Sequence, residues 1–188
     1  MNPLKARYLQ LAALLPGGTS DHPVTSPPSL VELAPFLKLA SQQRMIPALG
    51  HPRAAAALNL PPEVAEDLAR ILELNTRRNQ DLKAQTIDAV EALNCEGIDP
   101  LVLKGAAALL DDHYKIPGGV VIADVDMVVP EKELARCYQV LQRSGFVQTA
   151  PVRWDRHHLP PLLHEKTSTT LELHRWLAKR GVQDLLPA

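Results

Sequence analysis

The spacing of hydrophobic positions changes part-way along the chain, and that change organises the sequence. Up to about Cys95 the apolar residues recur at helical intervals. Leu30, Leu33, Leu37 and Ala40 fall three or four apart, and Ser29 followed by Glu32 has capping-box spacing. A helix is therefore predicted over 30–42, with Pro35 inside it to kink it or delay its start. "MIPALGHP" closes that element, and "LPPEVAEDL" opens the next, with proline in its first turn and acids near its N-terminus. Between Pro62 and Cys95 there is neither proline nor glycine, and Leu68, Ile71, Leu72, Leu82, Val90 and Leu93 keep an approximately helical stripe. One helix of about 50 Å, or two nearly collinear ones, accounts for this stretch, with Gly97 as its stop. Upstream, "GGTSDHPVTSPPS" has loop composition. "MNPLKARYLQLAALL" predicts a first amphipathic helix, because Gln10 interrupts the apolar stretch and no small-residue cleavage site follows it.

Beyond 94–99 the helical period gives way to short apolar runs separated by glycine, proline and helix-length segments. Strands are predicted at 98–103, 120–129, 145–150 and 168–175, and helices at 105–114 and 131–144. The expected class is α+β: an N-terminal helical region over 1–95, including one long helix, then a small mixed β-sheet flanked by helices over 96–188.

Composition narrows the function classes. The 188 residues can bury a real core without disulfides, and Cys95 and Cys137 lack any zinc-like spacing, so reduced thiols in the cytoplasm are expected. A formal net charge of -1 gives no global basic footprint for nucleic acid, and 4% aromatic residues offer few stacking platforms for single strands. No apolar run reaches membrane-spanning length, so no membrane partner is expected, and nothing in the composition fixes an oligomeric state.

Three stretches carry candidate chemistry. In "VVIADVDMVVP" alternation puts Asp124 and Asp126 on one face of a strand, their Cα atoms about 6.5 Å apart, with Ala123, Val125 and Met127 opposite. Two carboxylates at that spacing suit a hard cation that takes oxygen ligands and keeps waters and phosphates; the plain alternative is an edge strand with two surface acids. In "LVLKGAAALL" a strand turns into a helix at Lys104 and Gly105, where backbone N–H groups and a lysine could meet an anion, or where a lysine merely ends a strand before a tight turn. In "STTLELHRWL" Thr170, Glu172 and His174 share a face, and Glu172 completes a three-carboxylate set if its strand neighbours that of the aspartates.

Taken in order, "LVLKGAAALL", "ADVDMVV" and "LELHRWL" resemble the bacterial branch of uncharacterised nucleotidyltransferases within the superfamily typified by DNA polymerase β. The resemblance extends to "FLKLASQQRMIPALGH", to the long helix bearing Asn75 and Asn79, to "LQRSGFV" and to "RHHLPPLLH". It implies a nucleotidyltransferase-like core over 96–188, with Asp124, Asp126 and Glu172 as catalytic and metal-binding carboxylates and Lys104 and Gly105 at the nucleotide. It also implies Mg²⁺ or Mn²⁺, an NTP co-substrate, and transfer of a nucleoside monophosphate to a hydroxyl of a small-molecule, protein or RNA acceptor. The chain departs from that branch where "GGVVIAD" replaces an expected arginine, and it ends at Ala188, short of a C-terminal extension common there. It departs from the wider superfamily where Gly105-Ala106 stands for Gly-Ser.

Two other readings stand beside this one. A catalytically inactive nucleotide-binding or protein-interaction module on the same scaffold fits the missing arginine. A metal hydrolase using His157, His158, His164 and His174 has no compact zinc spacing behind it. Arg153, Arg156, Lys166, Arg175, Lys179 and Arg180 make the same region locally basic, suited to an anionic acceptor or a triphosphate, or simply to solvent.

Overall fold

The computed structural model describes residues 30–153, 159–167 and 169–175. The expected first helix, the loop after it, the Ser29 cap, and Arg156, His157, His158, Lys179 and Arg180 lie outside the described residues. Within them the chain is α+β, with five α-helices and a five-stranded mixed sheet. In chain order these are α1 (Leu30–Gln42), α2 (Pro52–Ala57), α3 (Pro62–Cys95), β1 (Leu101–Val102), α4 (Lys104–Leu110), β2 (Asp124–Val128), α5 (Leu134–Arg143), β3 (Phe146–Gln148), β4 (Leu162–His164) and β5 (Thr170–His174). The chain forms two compact units: the described part of the first comprises 30–80 and 112–121, and the second comprises 81–111 and 122 onward.

In the first unit α1 forms over the predicted span and accommodates Pro35 in its second turn, where little of the hydrogen-bond ladder is lost. "MIPALGHP" does end it, but as a 3₁₀ turn, Ile46–Gly50, followed by the short helix α2, which the sequence reading did not foresee. Phe36, Ala40, Leu49, Ala54, Leu58 and Leu68 form one apolar cluster. Gly50 lies so close to α3 that an added Cβ would stand 2.1 Å from the Leu68 carbonyl oxygen, so no side chain fits there.

α3 is one helix of 34 residues, and its buried stripe differs from the apolar one read from the sequence. Leu68, Asn75, Asn79, Leu82, Thr86, Ala89 and Leu93 are buried, whereas Ile71 is 39% exposed. The stripe is polar in its middle because it holds a loop. The Asn75 amide donates to the carbonyls of Gly118 (2.7 Å) and Val120 (3.0 Å), and the Asn79 amide to those of Pro117 (2.6 Å) and Val120 (2.9 Å). Gly118 is the close approach, since a Cβ on it would stand 2.0 Å from Thr76 Oγ1. The Val121 N–H donates to the Arg44 carbonyl at 2.9 Å. These bonds correct the expected strand 120–129: the Val120 carbonyl is taken by helix side chains and the Val121 N–H by Arg44, and β2 begins only at Asp124.

The second unit begins in the last part of α3, which ends in a Schellman motif. The Ile98 N–H donates to Leu93 O, and the Gly97 N–H donates to Asn94 O with Gly97 at φ +72°. The sheet order is β1-β2-β5-β4-β3, with β2 and β5 parallel and the other pairs antiparallel. β2 is flanked by β5 along its length and by β1 at Met127 and Val128, and the Leu103 N–H bonds to the Asp126 carbonyl, so Asp126 does not lie on an open edge. Val125, Met127, Leu171 and Leu173 are at most 1% exposed and fill the core side. α4 packs on β2 and α5 on β3. β4, from "LLH", was not predicted as a strand; three residues between prolines and a turn carry too little alternation to show.

Two measurements check this packing. Asn79→Ala leaves the Pro117 and Val120 carbonyls without this donor and is expected to cost about 1–3 kcal/mol in denaturant unfolding, more than the exposed Ile71→Ala on the same helix. Cys95 is exposed and Cys137 buried, and burial raises the Cys137 thiol from 9.0 to about 11. One thiol is expected to label in the native protein and two after unfolding. Because the unfolded thiol ionises at the lower pH, this group's contribution to stability declines from about pH 9 and falls further up to about 11.

Candidate active site

The site is built on the face of the sheet that β2 and β5 share. Parallel pairing sets Asp124 opposite Thr170, Asp126 opposite Glu172 and Val128 opposite His174, so period-two alternation on both strands delivers the polar side chains to one face. Asp126 is the centre. It is 2% exposed, and a buried carboxylate needs partners. Lys104 Nζ lies 2.9 Å from Oδ1 and 2.9 Å from Oδ2, and His174 Nε2 lies 2.8 Å from Oδ1. Since a carboxylate can only accept, Nε2 is the donor and carries the hydrogen. The same nitrogen is 3.7 Å from Glu172 Oε2.

Lys104 reaches Asp126 from the first position of α4, just after β1. The Leu103 N–H donates to the Asp126 carbonyl at 2.9 Å, which fixes the turn against β2. Lys104 itself has φ +52°, the left-handed region that a non-glycine residue occupies at a cost. Gly105 has a packing reason to be glycine: a Cβ there would stand 3.1 Å from Ile122 Cγ1. The hydrogen bond to Asp126 is the largest influence holding the Lys104 ammonium above its ordinary 10.5; desolvation opposes it, and the charges of Asp126, Asp124 and Glu172 add to it. The stability this pair contributes is thus present below that ordinary value and lost as pH climbs through the raised one.

The ligand-bearing atoms that lie within 4.8 Å of one another among the described residues belong to Asp126, Glu172 and His174. Asp124 is outside that group, one pleat repeat earlier on β2, half-buried and acting on Lys104 through its charge. The carboxylates fit a divalent cation: two sets of oxygens converge, and an ammonium already sits against both oxygens of Asp126 as a stand-in cation. His174 was placed on the Glu172 face by alternation, but its bond to Asp126 was missed, because nothing in one strand's pattern shows the register of its neighbour. His164 is elsewhere, its ring edge-on to Phe146 at 4.9 Å and its Nδ1 3.2 Å from Thr167 Oγ1, so the described histidines do not gather into a ligand set. Arg175 pairs with Glu131 at 3.1 Å.

An α+β unit with acids and a lysine gathered on one sheet face is a form suited to phosphate chemistry, and the comparison with known families agrees. A model for a family of uncharacterised nucleotidyltransferases matches residues 29–187, so the chain belongs to that family. No curated protein and no solved structure matches it. The described helices include none long and apolar enough to cross a membrane.

His174→Ala removes one donor to a buried carboxylate and is expected to lower stability by about 1–3 kcal/mol. In a double-mutant cycle with Asp126→Asn the two changes are expected to cost less together than their sum; additive costs would break the assigned bond.

Proposed function

We propose that the protein transfers a nucleoside monophosphate from an NTP to a hydroxyl of an acceptor, with Mg²⁺ or Mn²⁺ held by Asp124, Asp126 and Glu172, as in the superfamily typified by DNA polymerase β. The observation that carries this reading is the in-register pair Asp126 and Glu172 on adjacent parallel strands, with Lys104 against Asp126. The family match supports it, and the free Cys95 and Cys137 fit a reducing cytoplasm as its place of action.

A divalent ion held by Asp124, Asp126 and Glu172 would supply charge neutralisation at the phosphates. The protein's own part is as follows. Asp126, fixed by its bond from His174, and Asp124 present oxygens on one side of β2. Glu172, half-buried and on the same face, takes the proton of the acceptor hydroxyl. The hydroxyl oxygen then bonds to the α-phosphorus as the bond to the bridging oxygen breaks, and pyrophosphate leaves with that electron pair. Lys104 offsets the charge of the triphosphate. Acceptors in range of this chemistry are a small molecule, a protein side chain or an RNA end.

Pyrophosphate release, followed with Mg²⁺, each NTP and a panel of acceptors, tests the proposal. Asp126→Asn is expected to lower the rate by about 100-fold or more, and His174→Gln, one shell out, by about 10- to 100-fold. Wild-type rates in the Asp126 variant would sink the assignment. Nucleotide-dependent thermal stabilisation without turnover would instead mark an inactive binding module.

A further inference from the structure

Lys104 and a divalent cation want the same oxygens. Its Nζ stands 2.9 Å from both oxygens of Asp126, and His174 occupies a further position on Oδ1. A divalent ion bound to that carboxylate, at a bond length of about 2.0–2.1 Å for Mg²⁺, would sit close enough to the ammonium for strong like-charge repulsion. One of the two must leave, and burial decides which. Asp126 has 2% of its side chain exposed and is locked in β2, whereas Lys104 has 69% exposed on a flexible four-carbon stem.

We propose that Lys104 is a displaceable counter-ion: it neutralises Asp126 until a divalent cation takes its place, and the released ammonium then pairs with the triphosphate. Metal and nucleotide therefore bind cooperatively. This rests on the nucleotidyl-transfer reading and adds to it an order of events at the same acids. Displacement by metal alone costs the Lys104–Asp126 bond without return; with nucleotide present, the ammonium exchanges one anion for another. The positive φ of Lys104 fits this role, since a strained backbone is retained where a side chain must be aimed. The field of Asp124 and Glu172, which acts on Lys104 as well, favours a cation of higher charge than a single ammonium.

The test measures Mn²⁺ binding by electron paramagnetic resonance, with and without a non-hydrolysable ATP analogue. Lys104→Gln is expected to bind Mn²⁺ alone about 10-fold more tightly than wild type, and to lose most of the gain, about 10-fold, that the analogue gives the wild type. Equal Mn²⁺ affinities in the two proteins would overturn the displacement. Pyrophosphate release by the unsubstituted protein, measured separately with Mn²⁺ and hydrolysable ATP, would show that nucleotidyl transfer stands without the displacement. Absence of Mn²⁺ binding in every protein would overturn both. A second measurement needs no variant: labelling of Lys104 by an amine reagent, with exposed Lys132 as reference, is expected to quicken with Mg²⁺ and to slow when the analogue is added. A Lys104 rate indifferent to Mg²⁺ would overturn the displacement.

Discussion

The second unit is organised around one buried charge. Asp126 sits on a strand with neighbours on both sides, in a sheet whose opposite face is Val125, Met127, Leu171 and Leu173. A carboxylate in that position is tolerable only with cationic and hydrogen-bonding partners brought to it by the fold. They come from 22 residues upstream, through the β1–α4 turn, and from 48 residues downstream, through β5. The parallel pairing of β2 with β5 is what makes the second of these possible. A slip of one residue would send Glu172 and His174 to the apolar side and strand Asp126. Register, charge pairing and core packing are thus one constraint.

The first unit depends on a comparable rule applied to the backbone. A loop carried close to a helix must have its carbonyls satisfied, and Asn75 and Asn79 do this for Pro117, Gly118 and Val120. The aliphatic run from Val120 onward is therefore divided between two duties. Its first residues are tied to loop and helix partners, and its later ones enter the sheet. The stretch "GGVV", where the resembling branch has arginine, is in this protein a tight packing surface: Gly118 and Gly119 are buried, and Gly118 has no room for a Cβ. Close approach is the physical reason for glycine at 118.

Much of this was legible in residue patterns. The class, the long helix, the shared face of Asp124 and Asp126 and the shared face of Thr170, Glu172 and His174 follow from periods of 3.6 and two. What was hidden depends on pairing between distant segments. Nothing in "VVIADVDMVV" says that its first residues bond to a helix, because an apolar run has the same appearance in a strand and in a packed loop. The apolar stripe includes Ile71 and leaves out Asn75 and Asn79; the helix buries the asparagines and exposes the isoleucine. Two polar residues four apart on an otherwise buried face were the readable signal, since buried amides imply something to bond.

The proton on His174 bears on the kind of cation the site can take. With Nε2 donating to Asp126, that nitrogen has no lone pair to offer a metal, so His174 orients a carboxylate and is not a ligand through that atom. The carboxylate donors on this face are Asp126 and Glu172, with Asp124 nearby on the same strand. Oxygen donors with open positions for phosphate suit Mg²⁺ and, nearly as well, Mn²⁺, whereas imidazole ligation would favour zinc or copper. In the proposed nucleotidyl-transfer site, the bond that keeps Asp126 in place also withholds Nε2 of His174 from a metal. Breaking it would both loosen the carboxylate and free an imidazole nitrogen, a donor that favours softer cations than carboxylate oxygens do.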